Sequence, residues 1–162
     1  MRIPHLSLFA LILSVLPAAA ADDAGLETLA TCRASWLEWQ KANDPKLEPL
    51  AAHLRAAFTQ KEGEAYIVPK AATTIAGLRV LQVYPSSAGM GVGFTVLVEA
   101  TFDKAKAIFE KNLGKSLGHC ETGDGMHACE LDLAPQRSFM LMTSDKPGDT
   151  KSLVGCYYYY EK

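Results

Sequence analysis

The chain has 162 residues, with 16 basic and 18 acidic side chains and 49% hydrophobic residues. A net charge of −2 excludes a basic nucleic-acid binder and a cationic binder of anionic membranes. Beyond a leader of twenty residues about 142 remain, one domain's worth and enough to bury a real core.

Residues 1–20 read as a cleaved export signal. Arg2 gives the basic start, Leu6 to Leu16 is almost wholly apolar, and Pro17-Ala18-Ala19-Ala20-Ala21 supplies the small residues of a cleavage site. Cleavage falls after Ala20, with Ala21 as the alternative. The apolar run is too short to cross a bilayer, so no membrane insertion is expected. Leu29-Ala30-Thr31-Cys32 superficially resembles a lipidation signal, but it lies far beyond the apolar run and behind Asp22, Asp23 and Glu27. Export and four cysteines agree on an oxidising compartment. A periplasmic location is expected, with secretion as the alternative. Residues 21–162 form a single α+β domain in this reading.

Leu26 to Lys41 reads as a helix. Leu29, Cys32, Trp36 and Trp39 recur at helical spacing and make one stripe. The tryptophans are assigned to packing, in preference to a sugar-stacking platform. Asn43-Asp44-Pro45 breaks the helix. A second helix runs from about Glu48 to Lys61, with Pro49 in its first turn and Gly63 as its stop. His53 lies at the edge of its apolar face and is not assigned a catalytic role.

Glu64 to Pro69 reads as a short strand and residues 70–76 as a loop. Leu78 to Tyr84 and Val92 to Thr101 are the clearest strands, rich in Val, Leu, Phe and Tyr. The glycines between them, Gly89, Gly91 and Gly93, do not make a nucleotide loop, because this loop leads into a strand and lacks Gly-Lys-Ser/Thr. It reads as a long hairpin connection. Its functional reading is a protruding recognition loop, with Ser86, Ser87, Gly89, Met90 and Gly91 as candidate partner-binding residues.

Asp103 is expected to cap a third helix, which Gly114 ends. Asp124-Gly125 then sits between two extended runs and signals a type I′ hairpin. With these two residues in the turn, Cys120 faces Cys129 at a non-hydrogen-bonded pair, where Cα atoms approach to about 4.5 Å. That lies within the span of a disulfide. The remaining pair is Cys32–Cys156, which closes a long loop. His127 shares a face with Cys129 while His119 lies on the opposite face, so the histidines do not converge and no metal site or cofactor is assigned.

Arg137 to Thr143 is a strand with Phe139 and Leu141 on one face and Met140 and Met142 on the other. Lys151 to Glu161 is the last strand, read as a candidate edge. Val154, Cys156, Tyr158 and Tyr160 share one face. Tyr157 and Tyr159 lie on the other and join the candidate partner-binding residues.

The fold expected is α+β, an antiparallel sheet of about five to six strands with helices packed on one face. There is no Gly-x-Ser-x-Gly elbow and no His-Glu-x-x-His, and the cysteines are committed to disulfides. The function expected is an exported binding module for an envelope or toxin protein, of inhibitor or immunity type. The alternatives are a binder of a small molecule or cell-wall fragment, and a hydrolase with residues assembled from distant positions.

Overall fold

The computed structural model describes residues 21–36, 45, 48–85 and 92–158. The hairpin turn has the backbone its sequence requires, with φ of 52° at Asp124 and 78° at Gly125. It joins β7 (His119–Gly123) to β8 (Met126–Ala134). Gly123 pairs with Met126, Thr122 with His127 and Cys120 with Cys129, the expected register. Cys120 and Cys129 are bonded, their Cα atoms 4.0 Å apart. Cys32 and Cys156 form the second disulfide, with Cα atoms 5.1 Å apart.

The other elements are β1 (Ala21–Asp22), α1 (Ala24–Ala30), α2 (Glu48–Ala57), β2 (Phe58–Gln60), β3 (Ile67–Pro69), β4 (Thr73–Ile75), β5 (Leu78–Tyr84), β6 (Val92–Glu99), α3 (Phe102–Leu113), β9 (Arg137–Ser144) and β10 (Lys151–Tyr158). One sheet runs in the order β1-β4-β5-β6-β10-β9-β8-β7, with β3 also on β5 and β2 on β3. All pairs are antiparallel except β1 with β4. The α+β class holds. Among the described residues the sheet has ten strands, not five to six; β1, β2 and β4 are too short to show alternation. Thr73–Ile75 is β4, where a loop was expected.

Strand alternation puts one residue in two on the helical face. Val83, Val96, Val154, Leu141 and Cys129 lie in register across five strands. Phe94, Cys156, Phe139 and Leu131 make the next row. Leu26 and Leu29 of α1 and Ala105 and Phe109 of α3 close over these rows, fully buried. The Phe109 and Phe139 rings meet at 5.3 Å.

Three helix boundaries differ from the sequence reading. The first helix ends at Ala30, not Lys41. Cys32 turns the chain with φ 60°, which a non-glycine residue rarely adopts, and the turn delivers its sulfur to Cys156 on β10. Trp36 then buries its ring against Phe94 at 5.5 Å; Trp39 lies outside the described residues. The second helix ends at Ala57 because Phe58 to Gln60 pairs with β3. The third has Thr101 at its N-cap position, with no side-chain capping hydrogen bond, and Asp103 stands in its first turn, where a negative charge meets the helix dipole favourably.

β10 is not an edge strand. It lies between β6 and β9 and is buried along most of its length. Gly155 lets β6 come close: a Cβ there would stand 2.4 Å from the Phe94 carbonyl oxygen and from Thr95 Cγ2. The Thr95 methyl fills the space a side chain would take. Its hydroxyl is left buried with no hydrogen-bond partner among the described residues.

Candidate functional site

The second face of the sheet carries the residues that alternate with the core. Gln82, Leu97, Leu153, Met142, Ala128 and Glu121 form one row across six strands. Leu97, Leu153, Met142 and Ala128 are half-buried, and none belongs to the core under the helices. Met140 and Met126 flank this row from β9 and β8, and Met126 is 40% exposed. A solvated sheet face normally alternates to polar residues. Here four adjacent central strands present leucine, methionine and alanine instead.

The margins of this face are charged. Arg79 and Glu99 pair at 3.3 Å at one end, with Lys151 opposite Glu99 on β10. Along β7 and β8 the margin is acidic, with Glu121, Glu130 and Asp132. Glu130 accepts a hydrogen bond from the Ser138 hydroxyl. His119 Nε2 lies 3.1 Å from Glu121 Oε1. An apolar centre with a polar rim is the anatomy of a protein-binding surface, and methionine suits it because its chain is flexible and polarisable.

The candidates read from the sequence fall differently. Ser86, Ser87, Gly89, Met90, Gly91 and Tyr159 lie outside the described residues. Tyr157 is on the second face, opposite Gly93 and Ser138. Its ring is only 6% exposed, so it is packed material and not an open aromatic platform. Met140 and Met142, placed on the face opposite Phe139 and Leu141, are partly exposed. Leu97, Leu153, Ala128 and Met126 were missed. The available signal was an apolar residue at one outward position in each of four strands.

Among the described residues a concave region of about 530 Å³ lies at the β8–β9 turn, lined by Asp132, Leu133, Ala134, Pro135 and Gln136, and two others lie nearer the helices. A shallow cleft of about 510 Å³ runs between α1, α2 and β4 and is lined by Asp22, Asp23, Leu50, His53 and Thr73 among others. His53 Nε2 lies 2.6 Å from Asp23 Oδ2, a contact with no sign in the sequence. The other Asp23 oxygen accepts the Leu26 N–H at 3.0 Å and caps α1. The pair ties α2 to the start of α1. The Thr73 hydroxyl is committed to the Ala71 carbonyl, so the cleft holds no activated nucleophile among its described lining. A second, apolar cavity of about 350 Å³ is lined by Trp36, Leu54, Phe58, Ile67 and Pro85, with the exposed Arg55 and Gln60 beside it.

Asp22 beside the cleft accepts hydrogen bonds from the Thr74 hydroxyl at 2.6 Å and the Gly77 N–H at 3.0 Å. These bonds, the Thr74 hydroxyl foremost, hold its carboxyl below the ordinary value. A depressed folded value means the stabilisation is complete above the ordinary aspartate range and is lost as pH falls through the lowered one. The Asp22 side chain is largely in water, so the effect is small. Asp22→Asn is expected to flatten the acid limb of the stability curve between those two values, measured by urea unfolding at a series of pH values. An unchanged acid limb would remove Asp22 from the account.

Among the described residues no group of three or more His, Cys, Asp or Glu side chains is placed to hold a metal ion, and no helix is long and apolar enough to cross a membrane. No protein family, curated protein or solved structure matches this chain.

Proposed function

We propose that the chain is an exported, disulfide-braced binding module whose partner is another protein, of inhibitor or immunity type in the cell envelope. The observation that carries this reading is the row Leu97, Leu153, Met142 and Ala128, apolar across four strands and not covered by α1, α2 or α3. Strands spaced about 4.8 Å apart make this row about 14 Å wide. With Met126 and Met140 it gives an apolar centre of the kind partners cover. The acidic margin along β8 calls for basic residues on the partner's rim. Two disulfides support an oxidising compartment.

The test compares the oxidised protein with Met142→Glu as immobilised bait for envelope and culture extracts. A charge at a half-exposed position is expected to change stability by less than about 1 kcal/mol. Capture of one stoichiometric partner is expected with the parent and at least a tenfold loss with the variant. Equal capture by both would remove the face from the interaction. The apolar cavity beside Trp36 favours a second reading, a small-ligand binder, which gains weight if Leu54→Trp abolishes ligand binding and Met142→Glu does not.

A further inference from the structure

Among the described residues β7 is the outer edge of the sheet, and all five of its residues are exposed. In a two-residue hairpin the first pair is hydrogen-bonded and the pairs then alternate. Gly123–Met126 and Glu121–Ala128 are therefore hydrogen-bonded pairs, and Thr122–His127 and Cys120–Cys129 are not. At non-hydrogen-bonded positions the backbone groups point away from the partner strand. Cys120 and Thr122 thus turn their N–H and C=O groups outward, and Gly118, next in the alternation, does the same. Among the described residues these groups have no backbone partner. The disulfide to Cys129 fixes the strand in this extended form, so little ordering entropy remains to be lost on pairing.

The side chains select an occupant. Pair β7 antiparallel with a second β7 so that Cys120 faces Cys120. Gly118 then faces Thr122, and these three pairs are the hydrogen-bonded ones. His119 faces Glu121 across the two-fold axis, twice, at the positions where side chains approach most closely. The register that satisfies the outward backbone groups is the one that sets imidazole against carboxylate. A register shifted by two residues, with Glu121 facing Glu121, sets like charges opposite each other. Both copies present the apolar sheet face to the same side in this arrangement, because a two-fold axis between antiparallel edge strands is perpendicular to the sheet.

We infer that β7 is a self-association edge, through which two copies of this chain join into one continuous sheet about Cys120. The inference does not rest on the proposed partner-binding role. An isologous two-fold contact of this kind closes on itself and does not propagate into a filament.

The test uses the oxidised chain, purified from an oxidising compartment, in sedimentation equilibrium and amide hydrogen exchange. A monomer–dimer equilibrium is expected. His119→Glu sets two carboxylate pairs opposite each other and is expected to weaken the dimer about tenfold or more. Adding Glu121→Lys to that variant restores opposite charges and is expected to bring the dimer back to within about threefold of the parent. The Cys120 and Thr122 amides are expected to exchange at least about tenfold more slowly at high than at low protein concentration. The His119 and Glu121 amides, already paired to β8, are expected to show no such dependence. Peptide mapping of the Cys120–Cys129 bond in each variant separates a lost contact from a lost hairpin. A monomer at every concentration up to about 1 mM would overturn the inference. So would a dimer that tolerates His119→Glu and leaves the Cys120 and Thr122 amides unchanged.

Discussion

Replacing Cys32 and Cys156 together by alanine is expected to lower the free energy of unfolding by about 4–5 kcal/mol. The bond joins residues 124 apart in sequence, and it removes from the unfolded chain the entropy of closing a loop that long. Cys120 and Cys129 are 9 apart, so the same double replacement there is expected to cost about 2–3 kcal/mol. Burial acts in the same direction. Cys156 is fully buried between Phe94 and Phe139, whereas Cys120 is exposed. Urea unfolding of the two double variants decides the order. A larger loss from the Cys120–Cys129 pair would mean that native packing around the hairpin, not loop closure, sets the contribution of these bonds.

Phe139→Ala is expected to cost about 3–5 kcal/mol. Its ring is fully buried, faces Cys156 on one side and Leu131 on the other, and meets Phe109 of α3. Neighbours on three elements, β8, β10 and α3, cannot collapse into the space it leaves. Met142→Ala, on the same strand but on the second face, is expected to cost less than about 1 kcal/mol. The pair of variants therefore measures how differently the two faces are covered. If Met142→Ala costs as much as Phe139→Ala, the second face is packed as tightly as the first, and the docking surface proposed for it is not open.

The legible parts of the fold are those where local chemistry and side-chain pattern agree. Asp124-Gly125 fixes a turn, the turn fixes a register, and the register puts Cys120 opposite Cys129. Leu78–Tyr84 has enough alternating apolar residues to mark a strand unaided. The misread parts are those decided by distant contacts. Leu29, Cys32 and Trp36 keep helical spacing, yet the chain turns at Cys32, where the bond to Cys156 holds a backbone conformation that local preference disfavours. Phe58 suits a helix or a strand, and pairing with Pro69 decides for the strand. The tyrosine-rich last strand looked like an edge because nothing in its own residues records that β6 and β9 enclose it. The same gap hid most of the candidate site. The apolar character of Leu97, Leu153 and Ala128 was visible, but their meeting in one row depends on strand order.

That strand order governs how the molecule is made. β10 follows every other strand in the chain, yet it fills the slot between β6 and β9. β6 and β9 are joined in the sheet only through this segment. The cysteines carry the same message. A chain that appears from its N-terminal end presents Cys32, then Cys120, then Cys129, and Cys156 after them all. Oxidation in order of appearance couples Cys32 to Cys120, whereas the finished fold couples Cys32 to the thiol that emerges last of the four. A prematurely formed bond has to be opened by thiol–disulfide exchange before the sheet can close. Completion of this fold therefore waits for the last cysteine, and its yield depends on disulfide isomerisation as well as on oxidation.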